Sequence, residues 1–215
     1  MDWALAITRN RDQLRQIVLA LFALAKMRVG GSLFTLPRVT FAAIMLVLRP
    51  AESAVRRLIV IAAHGLVLKP RPARMAPEGL GPSPLPFKIR AFPLFDPLKS
   101  FDPEAVWDTG LPHFESDLAP DRWQGALLDD KPVNAALIGQ RLNALMRALE
   151  DLPRQARRLA RWQEKRDAAL KAGRPTRISP LRPGLPPGWR QRGVHEIDDV
   201  LRECHGLAND RLDSS

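Results

Sequence analysis

The side chains best suited to chemistry are four histidines, one cysteine and a group of central carboxylates. The histidines are His64, His113, His195 and His205. A zinc site needs ligands at short fixed spacings, and the sequence has no C-x-x-C, H-x-x-x-H or H-E-x-x-H pattern. Cys204 falls on the apolar side of a helical pattern, which is typical of a small core residue. The residues therefore predict no metal, no cofactor and no enzymatic activity.

The sequence also has no motif for a catalytic carboxylate pair or for a phosphate-binding loop. The acids between Asp96 and Asp130 supply many carboxylates, but nothing in their spacing holds two of them together as a catalytic pair. Gly30 and Gly31 do not form a phosphate-binding loop, because no G-x-x-x-x-G-K-[ST] pattern surrounds them. Function must therefore be sought in binding rather than in catalysis.

Charge is distributed unevenly along the chain, whose net charge is +10. Residues 1–75 carry 12 Lys or Arg and 3 Asp or Glu (net +9), residues 76–151 carry 7 and 12 (net −5), and residues 152–215 carry 14 and 8 (net +6). Basic ends favour anionic partners such as nucleic acid or an anionic membrane. A single cysteine excludes an internal disulfide and favours a reducing compartment. We therefore expect a cytoplasmic location, which includes a peripheral position at the inner membrane.

Three apolar runs mark the basic N-terminal region, residues 1–69. They are Ile17–Ala25, Val39–Leu48 and Leu58–Leu68. Each has between 9 and 11 residues, whereas a helix that spans a bilayer needs about 20. The runs predict three helices, with Asp2 as the N-cap of the first and Pro50 separating the second from the third.

The apolar surface of these helices has three possible destinations: the protein's own core, a hydrophobic partner, or a membrane interface with the flanking arginines at the headgroups. Helices that are apolar all round favour a partner or a membrane, because a three-helix bundle usually leaves each helix a polar stripe. The expected contact residues are Trp3, Ile17, Leu21, Phe22, Phe41, Ile44, Leu46, Leu58, Ile59 and Ile61.

Residues 70–132 are predicted to form an extended segment rich in proline and aromatic residues. Its twelve prolines exclude long helices. Phe-Asp-Pro occurs at 95–97 and again at 101–103, and this repeat predicts two turns, each anchored by its phenylalanine. Either the segment straps across the protein's own helices, or the repeat is a peptide site for a partner. The residues of such a site are Phe95, Asp96, Phe101 and Asp102.

A long helix is predicted over residues 133–172. Apolar residues recur there at alternating intervals of four and three, at Ile138, Leu142, Leu145, Leu149, Leu152, Ala156 and Leu159. Such a seam packs on another helix, more often within one chain than between two. Pro153 interrupts the helix, which either kinks or restarts with Asp151 as N-cap. Beyond the interruption one face is basic, and its candidate anion contacts are Arg154, Arg157, Arg158, Arg161 and Lys165.

The remaining chain is predicted to contain a basic, proline-rich linker over residues 173–193 and an amphipathic helix with a tail over residues 194–215. We expect poor order in parts of 70–90 and 173–193.

Three stretches carry a resemblance to other proteins. They are LRPAESAVRRLIVIAA (48–63), FPLFDPLKSF (92–101) and RPGLPPGWRQRGVHEIDDVLRECHGLA (182–208). In these stretches the chain resembles a group of alphaproteobacterial proteins that have no established activity. The resemblance implies a complete bacterial protein and transfers neither a catalytic residue nor a cofactor.

Together these patterns predict a mainly α fold. An apolar N-terminal three-helix region packs with a long kinked helix, followed along the chain by a short C-terminal amphipathic helix, and an irregular proline-rich segment lies at the centre. We expect a non-enzymatic interaction protein that docks through its N-terminal helices on a membrane surface or a hydrophobic partner. The alternative is a basic nucleic-acid-binding protein that uses the arginine face at 154–166. Burial of the apolar runs against residues 138–152 would remove the main support for membrane docking.

Overall fold

Helices make up most of the computed structural model, which describes residues 2–68, 90–97, 132–177 and 179–213. The elements in these ranges are α1 (Trp3–Leu24), β1 (Thr35–Pro37), α2 (Arg38–Ala63), β2 (Pro132–Asn134), α3 (Ala136–Glu150), α4 (Leu152–Lys171) and α5 (Glu196–Asp213). The mainly α fold that the sequence predicts is confirmed.

The central element of the fold is α2. The helices α1, α3, α4 and α5 all pack against it, and every α2 residue from Pro50 to Ile61 is buried. A helix enclosed on all sides needs no polar stripe. This position explains why the second and third apolar runs are apolar all round. Across the described ranges, none of the helices combines the length and the apolar character that a membrane span requires.

The predicted break at Pro50 is wrong, because α2 runs through it as one helix of 26 residues. Proline has no N–H, so the carbonyl oxygen of Leu46 loses its donor four residues later. The guanidinium of Arg190 donates a hydrogen bond to that oxygen instead. Gly188 packs directly on the proline, where an added Cβ would lie 2.7 Å from the Pro50 nitrogen. Tertiary contacts thus compensate for the proline, and the N-terminal region has two long helices rather than three.

The interruption near Pro153 separates two helices, α3 and α4. The Asp151 carboxylate accepts a hydrogen bond from the backbone N–H of Arg154 at 3.1 Å, and Pro153 lies in the first turn of α4, where no donor is lost. Asp2 caps α1 in the same way through the Leu5 N–H at 3.1 Å. Both predicted N-caps are confirmed. All seven seam residues between Ile138 and Leu159 are buried, so the seam is an intramolecular packing face.

A short antiparallel pair joins the two halves of the chain. Thr35 of β1 pairs with Asn134 of β2, and this pairing places the start of α2 beside the start of α3. The Asn143 side chain then accepts a hydrogen bond from the Gly30 N–H at 2.7 Å and donates one to the Gly31 carbonyl at 2.9 Å. The α1–α2 connection is therefore fastened to α3.

Residues 179–193, hereafter the C-terminal strap, pack on the helices. Leu181 and Pro186 are buried, and the Ser53 hydroxyl donates to the Pro187 carbonyl at 2.7 Å. Buried apolar groups and hydrogen bonds thus hold the strap on the helices, within the region that the sequence predicts to be a basic, proline-rich linker with poor order in parts. The other region expected to be poorly ordered, 70–90, lies outside the described residues apart from Arg90.

Candidate functional site

The apolar residues expected at a membrane or partner contact lie mainly in the core. Those that are buried are Ile17, Leu21, Phe22, Ile44, Leu58, Ile59 and Ile61, whereas Trp3, Phe41 and Leu46 are partly buried. The helices enclose one another, so the seven buried side chains offer no external contact surface in this structure. The prediction that they meet a partner directly is corrected accordingly.

The first copy of the Phe-Asp-Pro repeat packs on the protein itself. The ring of Phe95 meets that of Trp162 edge-on, with centroids 4.9 Å apart, and the Arg177 guanidinium carbon lies 5.2 Å from the Phe95 ring centroid. Asp96 is only 1% exposed. These two side chains act as an internal strap in this structure rather than as an external peptide site. Phe101 and Asp102 lie outside the described residues.

Asp96 is the centre of a buried network of charges. Its Oδ1 pairs with Arg56 Nη1 at 3.1 Å, and its Oδ2 pairs with Arg57 Nη2 at 3.2 Å. Glu52 extends the network: both its oxygens accept from Arg141, from Nε and Nη2 at 2.9 Å each, and Oε2 lies 3.5 Å from Arg56 Nη2. The five side chains alternate cation and anion in the order Arg57, Asp96, Arg56, Glu52 and Arg141.

Burial lowers the pKa of the Arg56 and Arg57 guanidinium groups, and the negative charge of Asp96 opposes that shift. Further acceptors come from the backbone, since Arg57 donates to the Ser53 carbonyl at 2.9 Å and Arg56 to that of Pro93 at 3.3 Å. Buried charges persist only when they are paired and hydrogen-bonded in this way. The sequence signal was two adjacent arginines inside an apolar helix, which require a buried carboxylate from elsewhere in the chain.

Three separate parts of the chain meet at this network. Residues 48–63 supply Glu52 and the two arginines, and residues 92–101 supply Asp96. The stretch at 182–208 contributes the backbone N–H of Arg182, which donates to Asp96 Oδ2 at 3.3 Å. Segments far apart in sequence thus form one polar centre.

An open cleft of about 400 Å³ adjoins the network, between α2, α3 and the C-terminal strap. Its charged lining residues are Arg49, Glu52, Arg56, Arg141 and Arg182. Four cations and one anion give the lining a net charge of +3 (4 − 1). We call this space the arginine cleft. No feature of the sequence predicted it, because the spacing of its arginines follows no local pattern.

The predicted anion contacts on α4 form one continuous face. At about 100° per residue, all five fall within an arc of about 100°, on the side opposite the buried Ala156 and Leu159. This α4 basic stripe comprises Arg154, Arg157, Arg158, Arg161 and Lys165, all of them exposed. Within the described ranges, none of the five has a carboxylate oxygen within 4.0 Å. Among the described residues, Arg158 alone of the five has a side-chain hydrogen bond to the backbone, at 2.7 Å to the Phe92 carbonyl, and the partial burial of its guanidinium lowers its pKa.

A shallow cleft of about 290 Å³ opens within the stripe, lined by Arg158, Arg161, Trp162 and Lys165. The Arg166 guanidinium lies 5.6 Å from the Trp162 ring centroid. The stripe thus combines several cations with one aromatic surface.

No family model matches the chain, and no curated protein or solved structure is detectably similar to it.

A cysteine and a histidine, Cys204 and His205, are adjacent on α5. Cys204 is fully buried, and burial raises the pKa of its thiol. Burial, and then the charge of Arg57, lower the pKa of His205, whose Nδ1 lies 3.4 Å from Arg57 Nε. A buried neutral thiol is a poor nucleophile. Among the described residues, no three His, Cys, Asp or Glu side chains are close enough to hold a metal ion.

Proposed function

We propose that this is a non-enzymatic interaction protein that binds nucleic acid through the α4 basic stripe. The observation that supports this proposal is the set of five exposed cations in one arc of α4, without a carboxylate partner in the described chain. Surface arginines usually lie among acids of opposite charge. A stripe of one sign produces a directional positive field that attracts phosphates.

The dimensions of the stripe suit a nucleic-acid backbone. From Arg154 to Lys165 the helix rises about 17 Å, a length over which one strand of a stacked duplex carries about five phosphates at 3.4 Å per nucleotide and a more extended single strand carries fewer. Trp162 offers a ring beside the cations, and bases of single strands stack on aromatic side chains flanked by positive charge. The proposal is therefore for single-stranded binding with little sequence preference.

A membrane surface is a weaker partner for this helix. A helix that lies in a lipid interface needs a broad apolar face beside its basic residues. In the described part of α4, Leu170 is the only exposed large apolar side chain. The stripe offers positive charge to a membrane surface, but this helix has few exposed apolar side chains that could insert into the lipid.

The test is fluorescence anisotropy with a labelled single-stranded DNA of about 20 nucleotides, at 50 and 200 mM salt. The variant Arg157→Gln/Arg161→Gln/Lys165→Gln removes three charges from the stripe. The matched control, Lys171→Gln/Arg174→Gln/Arg192→Gln, removes three exposed charges elsewhere. We expect the stripe variant to lose at least tenfold in affinity, with a salt slope shallower by about two, since each single-strand contact contributes about 0.7.

Equal losses in the two triple variants would reduce the effect to net charge and contradict a defined site. Binding to anionic vesicles without binding to DNA would replace nucleic acid by membrane as the partner.

A second candidate function is docking on a hydrophobic partner or membrane through a surface other than the buried apolar runs. The connection between α1 and α2, together with the starts of α2 and α3, carries exposed apolar residues: Val29, Phe34, Val39 and Leu137. Phe34 is 74% exposed, and Lys26 and Arg28 precede it nearby in the chain. Exposed apolar side chains beside basic ones are typical of an interfacial anchor.

Flotation with anionic vesicles tests this second candidate. Insertion of apolar side chains predicts flotation that persists at about 0.5 M salt, where charges are screened within a few ångströms. Phe34→Ser should abolish that salt-resistant fraction, whereas Leu185→Ser, at another exposed apolar position, should not. Flotation that disappears in salt for the unmodified protein would rule out an apolar anchor.

A further inference from the structure

The arginine cleft contains cationic groups that the fold does not use. Arg56 is saturated, since it pairs with Asp96 and Glu52 and donates to the Pro93 carbonyl. Arg49 differs, because within the described residues its side chain makes neither a hydrogen bond nor an ion pair. The described chain therefore leaves one complete guanidinium fork at the cleft without an acceptor.

Arg49 shares the lining of the cleft with two other charged residues, Arg141 and Glu52. Arg49 is exposed, and partial burial of its guanidinium lowers its pKa most; the positive charge of Arg141 lowers it further, and Glu52 opposes these effects. Glu52 is already engaged, because both its oxygens accept from Arg141. Glu52 is the only carboxylate among the lining residues of the cleft, so a bound anion would supply Arg49 with the negative partner that it lacks within the described residues.

Two other arginines have spare donors at the cleft. Arg141 places Nη1 3.5 Å from the Met45 sulfur, a weak acceptor. Arg182 donates through Nε to the Leu185 carbonyl at 2.8 Å, and no carboxylate pairs with its guanidinium within the described ranges. These donors come from α2, α3 and the C-terminal strap, so an anion bound there would contact three separate elements.

We propose that the arginine cleft binds a phosphate group carried by a small molecule, with Arg49, Arg141 and Arg182 as its cationic contacts. Guanidinium forks match phosphate oxygens in bidentate pairs. A phosphate dianion balances most of the +3 charge of the lining, whereas a single carboxylate leaves two charges uncompensated. The volume of about 400 Å³ falls within the usual range of small-molecule sites, about 300–1,000 Å³.

Glu52 has a positioning role in this proposal. It holds Arg141 in a planar, two-point contact, which fixes the orientation of that guanidinium. Asp96 pairs with Arg56 and Arg57, so these two guanidinium groups already have a carboxylate partner inside the protein. Arg141 is therefore held in a fixed orientation at the cleft, whereas Arg49, which has no side-chain partner in the described residues, can turn towards a bound anion.

The experiment titrates the full chain with inorganic phosphate at constant ionic strength and follows binding by calorimetry and by arginine Nε–Hε NMR signals. Acetate is the comparison anion. The variants are Arg49→Gln and Arg182→Gln, with Arg15→Gln as the control because Arg15 is exposed on α1, remote in sequence from the cleft residues. Arg141 is left intact, since its loss would leave Glu52 without its main partner.

We expect saturable binding of phosphate, at least fivefold weaker in Arg49→Gln and in Arg182→Gln and unchanged in Arg15→Gln. The triple variant of the α4 basic stripe should bind phosphate normally, so failure of the nucleic-acid proposal does not affect this result. No saturable response, or equal binding by the Arg49→Gln and unmodified proteins, would overturn the site. Acetate binding as tight as phosphate binding would overturn the choice of phosphate.

Discussion

Arg190 donates a hydrogen bond to the carbonyl oxygen of Leu46, in the middle of the central helix. The same guanidinium contacts both oxygens of the buried Asp198 at 3.0 Å. Asp198 in turn accepts from the backbone N–H groups of Val194 and His195, at 2.9 and 3.1 Å. One side chain therefore links the proline-containing turn of α2 to the start of α5.

Replacement of Arg190 by alanine should destabilise the fold. It leaves the Asp198 carboxylate, which is buried, without its cation and the Leu46 oxygen without its donor. We expect the free energy of unfolding to fall by about 3 kcal/mol, measured by urea denaturation. Arg192→Ala is the control, because Arg192 is exposed in the same strap. A loss below about 0.5 kcal/mol in Arg190→Ala would show that the link is dispensable.

Close contact between the strap and α2 gives a second prediction. Gly188 has φ +81°, and a Cβ there would lie 2.7 Å from the Pro50 nitrogen. Gly188→Ala should therefore lower the free energy of unfolding by about 3 kcal/mol, from backbone strain and overpacking together. Gly184 has a similar φ of +77° but nothing within 4 Å of its Cβ position. Gly184→Ala should lower the free energy of unfolding by only about 1 kcal/mol. Thermal or urea unfolding measures both variants, and equal losses of stability would mean that backbone strain alone, without overpacking, explains the effect.

Local signals in the sequence predicted the local structure. The caps at Asp2 and Asp151 depend on hydrogen bonds that span three residues, and the seam from Ile138 to Leu159 depends on helical periodicity alone. The break at Pro50 was predicted from an equally local rule, and it was wrong because Arg190 lies 144 residues from the carbonyl that it satisfies. A tertiary hydrogen bond thus allows α2 to continue through the proline.

The two candidate sites differ in the same way, because one is set by local sequence spacing and the other by tertiary packing. The α4 basic stripe was predicted, because one helix sets the spacing of all its members. The arginine cleft was not, because Arg49, Arg141 and Arg182 come together only when α2, α3 and the strap have packed. Asp96 was assigned to a peptide site for a related reason: its partners are 39 and 40 residues away, and no local pattern indicates them.

His205 makes stability depend on pH. Burial, and then the charge of Arg57, lower its pKa, and Asp96 only partly opposes them. As the pH falls below about 6.5, the unfolded chain takes up a proton at this histidine before the folded chain does. The unfolded state then binds more protons, so stability should fall as the pH decreases from about 7.5 towards 5.5. Thermal unfolding midpoints measure this trend.

The variant His205→Gln isolates the contribution of this histidine. Its stability should vary less with pH over the same interval, because the titrating group is gone. Trp189 and Asn209, which also contact the ring, carry no charge and leave the sign unchanged. An unaltered pH trend in the variant would assign the effect to other groups.

Cys204 should be unreactive in the folded protein. Its side chain is fully buried, and burial raises the pKa of the thiol, as does the charge of Glu203, against the smaller opposing effect of Arg57. A thiol that stays protonated and inaccessible cannot attack a disulfide reagent. With Ellman's reagent at about pH 8 we expect no reactive thiol in the native state and one after denaturation in guanidinium.

The control is Ser32→Cys, at an exposed position, which should add one thiol that reacts at once. Rapid reaction of the native, unmodified protein would mean that α5 detaches from α1 and α2 easily, because Cys204 becomes accessible only when that packing opens.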